Sequence, residues 1–276
     1  MNDASGITTF ASADGLLAYR ETGTGRPVVL LHAGLTDRTM FDELVPALAR
    51  HHRVITPDAR GHGWSANASK PFRQTDDLAD LLRHLGTGPA VLVGVSMGAN
   101  IAVDTALEHP DLVSAVVVSG GGTGLPEFHD PWLLELEAAK AASMAAGDIP
   151  GWVDGFALIA AGPHRAIEDV APDVVRRVKA MAWRTLSKHT ADEQDHTVAV
   201  PDTAARAKEI TVPVLALNGA LDSPDLIAVA ENLARAVPDG RVTTLENAAH
   251  FPNMDQPGAF LRAVEEFLQE LGTDEQ

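Results

Sequence analysis

The run Val91-Leu92-Val93-Gly94-Val95-Ser96-Met97-Gly98-Ala99-Asn100 constrains this chain more than any other stretch. Its valine-rich beginning predicts a buried strand. The alanine-rich segment from Ala99 to His109, with Ile101, Val103 and Leu107, predicts a helix. Gly94-x-Ser96-x-Gly98 therefore falls where a strand turns into a helix. In such a nucleophile elbow the turn is so sharp that the serine takes strained backbone angles, and its hydroxyl stands clear of the sheet edge. Glycines two before and two after the serine let strand and helix approach without side-chain clashes. At ordinary glycine and serine usage the pattern arises by chance in about one chain in ten of this length, so its context must carry the case.

That context is an alternation of strands and helices. Ile7 to Ala11 and Leu16 to Glu21, joined by Ala13-Asp14-Gly15, predict an antiparallel hairpin. Val28 to His32 is a continuous apolar run, hence a buried strand. A loop from Ala33 to Arg38 and a helix near Thr39 to Arg50 follow, then a short strand from Arg53 to Asp58. Leu78, Leu81, Leu82 and Leu85 recur at the spacing of an amphipathic helix. After the elbow comes a strand from Leu112 to Ser119, and short loops throughout point to a parallel, doubly wound α/β sheet. From Gly120 to Ile210 the alternation stops and helical patterns take over, including a face of Val174, Val178, Met181 and Thr185. We read residues 120–210 as a helical cap inserted into a core made of 1–119 and 211–276. In the second part of that core Pro213 to Leu217 and Arg241 to Glu246 predict strands, and Pro224 to Val237 and Pro257 to Leu271 helices.

Composition removes several function classes. The chain has 276 residues and no cysteine, which excludes disulfides, zinc-thiolate sites, iron-sulfur clusters and cysteine nucleophiles. A formal charge of −17 argues against nucleic acid or an anionic membrane as partner. The polar start from Met1 to Phe10 predicts no secretory leader, and no apolar run reaches membrane-spanning length. The expectation is a soluble, cytoplasmic protein. Eleven histidines show no ligand spacing such as His-Glu-x-x-His, so no metal site is expected.

A serine hydroxyl is a poor nucleophile at neutral pH and needs a base, and that base needs an orienting acid. In an open parallel sheet these must sit on loops after the carboxyl ends of strands. Asn218-Gly219-Ala220-Leu221-Asp222 follows one strand and offers Asp222; Asn247-Ala248-Ala249-His250-Phe251 follows the last and offers His250. Asp225, three residues on, is an alternative acid, or else a cap for the helix after Pro224.

With these residues in place, the chain resembles α/β-hydrolases of the esterase, lactonase and cofactor-free haloperoxidase group over nearly its whole length. The resemblance rests on His32-Ala33-Gly34, on Asp58-Ala59-Arg60-Gly61-His62-Gly63-Trp64-Ser65, on Gly94 to Gly98, on Gly219-x-x-Asp222, and on His250 followed by Asp255-Gln256-Pro257. It implies Ser96 as nucleophile, His250 as general base and Asp222 as its acid. It also implies an oxyanion hole from the backbone N–H of Met97 and one from the 32–35 loop, with Gly34 favoured over Leu35. Ala33 departs from the glycine that relatives often carry. The implied activity is cleavage of a small ester or lactone through an acyl-enzyme on Ser96, without metal or cofactor. Perhydrolysis, carbon–carbon bond hydrolysis and a small-molecule receptor on the same fold are the alternatives. His32, Asp58, Arg60, Gly61 and Gly63 are expected to hold loops together, with any Asp–Arg pair there structural. Trp64 is expected either to line the pocket or to pack. Leu35, Trp132, Trp152 and Phe156 are the candidate substrate contacts.

Overall fold

Strands that are apolar without interruption become strands covered on both faces. The computed structural model describes residues 6–124, 127–190 and 192–273. Its sheet has eight strands in the order β1-β2-β4-β3-β5-β6-β7-β8. They are β1 (Thr8–Ala11), β2 (Leu16–Thr22), β3 (Arg26–Leu31), β4 (His52–Pro57), β5 (Ala90–Val95), β6 (Val113–Ser119), β7 (Val214–Gly219) and β8 (Gly240–Leu245). β1 and β2 form the expected antiparallel hairpin, β2 also runs antiparallel to β4, and every other pairing is parallel. Every residue of β5 and of β7 is buried, whereas the edge strand β8 is largely exposed.

Because side chains alternate along a strand, one valine-rich run feeds two cores. Val91, Val93 and Val95 join Val117 and Leu217 on one face of the sheet, and Leu92 joins Val116, Val118 and Ala216 on the other. The first face is covered by α1 (Val45–Leu48), α9 (Pro252–Asp255) and α10 (Pro257–Thr273), the second by α2 (Gln74–Leu85), α3 (Met97–Glu108) and α8 (Pro224–Ala236). Each Val or Leu so buried contributes about 1.5–3 kcal/mol, which makes this double layer the main source of stability.

Between β6 and β7 the described residues form α4 (Pro131–Ala145), α5 (Ile149–Ala157), α6 (Pro172–Leu186) and the short α7 (Thr203–Arg206). Val174, Val178, Met181 and Thr185 are buried along one side of α6. Positions 125, 126 and 191 of the expected cap lie outside the described residues. Asp130 caps α4 by accepting from the N–H of Trp132 at 3.1 Å, and Asp148 caps α5 through Gly151 at 2.9 Å. A single parallel bridge, Phe72 with Thr197, ties the end of this segment to the loop before α2.

Two expectations need correction. The helix expected from Thr39 to Arg50 is a 3-10 turn, Arg38–Phe41, followed by α1. Pro46 is the cause: it lacks an N–H, and its ring would clash with the carbonyl of Asp42 in a continuous helix, so it stands in the first turn of a new one. The strand expected to stop at Leu217 continues through Asn218 to Gly219, which moves the turn carrying Asp222 to the true carboxyl end of β7.

Candidate active site

Strand order locates the site before any side chain does. The chain passes from β3 outward to β4 and then returns to β5 on the other side of β3. Such a reversal opens a crevice at the carboxyl ends of the two strands. Leu31 of β3 is in register with Gly94 of β5, so the loop from His32 and the turn at Ser96 leave the sheet side by side.

Ser96 has φ 53° and ψ −116°, a conformation that costs a side-chain-bearing residue about 1–3 kcal/mol. It is held there by its N–H, which donates to the Ser119 carbonyl at 2.8 Å, and by its own carbonyl, which accepts from Ala99 at 2.9 Å and Asn100 at 3.1 Å. The flanking glycines are steric necessities. A Cβ on Gly94 would lie 2.2 Å from the Gly98 carbonyl oxygen, and one on Gly98 would lie 2.0 Å from that of Leu31. Either would lift α3 off the sheet. Met97 is the first residue of α3, and an amide at that position has no acceptor inside its helix.

Asp222 and His250 come from the ends of β7 and β8. The Asp222 N–H donates to the Gly219 carbonyl at 3.3 Å, and its Oδ1 accepts from the Ser223 N–H at 2.8 Å. Oδ2 lies 2.8 Å from Nδ1 of His250, and the two side chains are only 2% and 3% exposed. A carboxylate at Nδ1 keeps the ring proton there and leaves Nε2 bare to accept another. Asp225 is engaged elsewhere: its carboxylate accepts from the backbone N–H groups of His129 at 2.6 Å and Asp130 at 2.7 Å, which anchors the entry to α4. The His250 loop is tied down by Asp255, whose Oδ2 accepts from the Ala249 N–H at 3.2 Å and pairs with Arg165.

Gly120 is a residue that sequence reasoning did not assign to the site. Its φ is 58°, and a Cβ there would stand 2.7 Å from both Cε1 and Nδ1 of His250 and 3.2 Å from Oδ2 of Asp222. Its N–H donates to Oδ1 of the buried Asn218 at 3.1 Å. The signal was the Gly120-Gly121-Gly122 run directly after a strand, which marks a backbone that something approaches closely.

The 32–35 loop is built as a rigid turn. Nε2 of His32 accepts from the Ala59 N–H at 2.9 Å, so its proton sits on Nδ1, 2.8 Å from the Ala33 carbonyl. That carbonyl also accepts from the Thr36 N–H at 3.2 Å, and Leu35 takes φ 61°. Gly34 lies against Met97, its would-be Cβ being 3.7 Å from the Met97 Cβ. Asp58 supports the same region. It bonds the Arg38 N–H at 2.9 Å, the Arg38 guanidinium at 2.6 Å and the Trp64 N–H at 2.9 Å. The ion pair near this motif is therefore with Arg38. Arg60 pairs instead with Asp77 at 2.8 Å.

Ser96, Met97, Gly34, Leu35, His250 and Phe156 all line one cavity of about 300 Å³. Phe128, Leu133, Ile159, Leu226, Val229 and Phe251 complete its apolar wall, while Glu137 and Lys140 supply charge. Lys140 is 2.7 Å from Glu137 and lies over the rings of Trp152 and Phe156, 5.7 and 5.9 Å from their centroids. Trp152 and Trp132 do not form the wall. Trp152 stacks on Phe156 with centroids 5.7 Å apart, and Trp132 packs beside Leu133, Leu136 and Leu226. Trp64 is 66% exposed and neither packs nor lines this cavity. Among the described residues no group of three or more His, Asp or Glu could hold a metal ion. His62 is kept neutral, its pKa pushed down to about 3 by burial first and then by His32.

Comparison with known proteins agrees with this architecture. The profile of the alpha/beta hydrolase fold family matches residues 26–257. A 2-(acetamidomethylene)succinate hydrolase of Mesorhizobium japonicum is 29% identical over 265 residues, spanning 91% of each chain. A hydrolase from Pseudomonas aeruginosa superposes with a TM-score of 0.77 at 29% identity, over 96% of this chain and 99% of that one. A thermophilic esterase from Thermogutta terrifontis gives 0.76 at 26% identity, over 96% and 97%. With a sheet of the same kind, mostly parallel and eight-stranded, the chain belongs to the alpha/beta hydrolase fold family.

Proposed function

We propose that this protein hydrolyses a small ester or lactone through an acyl-enzyme on Ser96. The observation that carries the reading is the buried 2.8 Å contact between His250 Nδ1 and Asp222, in a ring that shares its cavity with a serine in strained geometry. Nε2 of His250 takes the Ser96 proton as the oxygen attacks the substrate carbonyl. The tetrahedral oxyanion is held by the N–H of Met97 and one from Gly34 or Leu35, each donor being worth about 3 kcal/mol in such sites. The leaving alcohol takes the proton from Nε2. Water, deprotonated by the same nitrogen, then attacks the acyl group, and Ser96 recovers its proton as the acid departs. No metal or other cofactor enters any of these steps. The names borne by two of the relatives, a hydrolase and an esterase, are of the same kind.

The segment 120–210 serves in this reading as a cap that chooses the substrate. It contributes Phe128, Leu133, Glu137, Lys140, Phe156 and Ile159 to the wall of the cavity that the core lines with Ser96 and His250. The volume and the apolar walls suit a small molecule with one polar end.

The test is turnover. Screened against esters and lactones, the purified protein should give sustained hydrolysis at about 1 s⁻¹ or faster on a matched substrate. Ser96→Ala should abolish it, and an organophosphonate should label Ser96 once. Labelling with only a single-equivalent burst across the whole panel would overturn the reading and favour a receptor.

A further inference from the structure

Beyond Met97 the reaction cavity borders a second chamber of about 220 Å³. Met97, Asn100 and Gly124 belong to the walls of both. The second chamber is bounded by α3 on one side and by residues 197–200 on the other, the segment pinned by the Phe72–Thr197 bridge. Ile101, Val198 and Val200 make its sides apolar. Into this setting α3 brings a carboxylate, Asp104, whose Oδ1 is fully shielded from solvent and has no hydrogen-bond partner among the described residues.

A buried carboxylate oxygen without a donor is expensive and calls for an explanation. Neighbouring cations do not supply one. Arg73, also in the chamber wall, is committed to Asp76 at 3.0 Å and Glu108 at 2.9 Å. Arg206 is likewise committed to Glu108 at 2.8 Å and Glu209 at 3.2 Å. We propose that this chamber is a subsite for an ammonium group carried by the substrate, with Asp104 as its counter-ion. The proposal rests on the reading that the adjoining cavity is the reaction site. Burial, and then Glu108 one turn further along α3, push the Asp104 carboxyl up to about 7, while Arg73 and Arg206 pull it down. An ammonium in the chamber would supply the counter-charge that neither arginine gives the Asp104 carboxylate. Asp104 follows Ser96 by eight residues, about 12 Å along the helix axis. With both side chains reaching toward the ligand, the cation and the reacting carbonyl would be joined by a flexible chain of about six to eight carbons.

Two measurements test this. In calorimetry with Ser96→Ala, n-heptylammonium should bind more tightly than n-heptanol, and adding Asp104→Asn should lower that preference by about tenfold or more. In turnover, the kcat/KM of p-nitrophenyl ω-aminooctanoate relative to p-nitrophenyl nonanoate should fall by a similar factor in Asp104→Asn. An amine-to-alcohol preference that is absent, or unchanged by Asp104→Asn, would overturn the subsite. Absence of any p-nitrophenyl ester turnover by the wild type would overturn the hydrolase reading instead, and calorimetry would still judge the chamber.

Discussion

Replacing Gly120 by alanine is the most specific perturbation this geometry offers, because one methyl group would press directly on the His250–Asp222 pair. At φ 58° an alanine backbone is strained by about 1–2 kcal/mol. The new Cβ would lie 2.7 Å from Cε1 and Nδ1 of His250, whereas non-bonded carbon contacts settle at about 3.5–4.0 Å. Relief therefore requires the ring or the Gly120 loop to retreat by about 1 Å. Asp222 cannot follow freely, since its Oδ1 is held by the Ser223 N–H at 2.8 Å and its Oδ2 is itself 3.2 Å from the added methyl. The His250–Asp222 contact should stretch and the ring should shift within the cavity it shares with Ser96. A displacement of this size lowers catalysis by about 10²-fold. Steady-state kinetics on an activated ester should show that fall in kcat with KM little changed, together with slower organophosphonate labelling of Ser96. Gly122→Ala is the control: its Cβ would meet Val229 Cγ1 at 3.3 Å, a side-chain tip that can yield, and its φ is not in the left-handed region. It should be nearly silent. A folded Gly120→Ala protein with wild-type kcat and labelling rate would refute the placement of His250 as the base.

Other outcomes follow from the same contacts. Asp222→Asn should lower kcat by about 10⁴-fold, and Ser96→Ala with His250→Ala should be little worse than either alone, because such groups act as a unit. Asp225→Asn should leave kcat within a few-fold while lowering stability by about 1 kcal/mol, because the neutral amide oxygen accepts the two backbone bonds more weakly than the carboxylate, measured by denaturant unfolding; a reversed ranking would make Asp225 the acid. Folded Asp104 keeps its proton to about pH 7, whereas an unfolded aspartate loses it near 3.8, so between these values wild-type stability should fall as pH rises. The ceiling is about 4 kcal/mol, and the carboxylate's partial exposure trims it to about 2. The stability advantage of Asp104→Asn should widen by that amount from about pH 4 to about pH 8, and parallel curves would refute it. Exhaustive dialysis against EDTA should leave hydrolysis unchanged, and a loss restored by a divalent cation would refute the metal-free mechanism.

Much of the fold was legible because its signals are local. A short valine-rich run such as Val91–Val95, ending at a glycine-bounded turn, reads as a strand covered on both faces. Gly94-x-Ser96-x-Gly98 between that strand and a helix reads as a tight turn, and the structure gives the reason for its glycines, which meet carbonyl oxygens where any other residue would carry a side chain. The parallel order of strands then restricts partner groups to strand ends, which is why Asp222 and His250 could be picked out. Tertiary contacts decided the rest. Nothing local distinguishes Asp222 from Asp225; the difference is that one meets His250 and the other meets the backbone before α4. Nor does composition say that Phe156 faces the cavity while Trp152 is stacked on it and Trp132 packs elsewhere, because helix faces are assigned by what they dock against. Gly120 and His250 are far apart in sequence and nearly in contact in space. Lone Asp104 reads in the sequence as an ordinary polar residue on a helix, and only the folded chain, which sets residues 197–200 across a chamber from α3, makes it a half-buried carboxyl with one oxygen shielded and unpartnered. The sheet, the elbow and the strand ends were written in short stretches of chain, because backbone sterics and apolar periodicity act between near neighbours. Which side chains share one cavity was decided by the closing of the chain, where burial and charge depend on residues that meet only in the folded state.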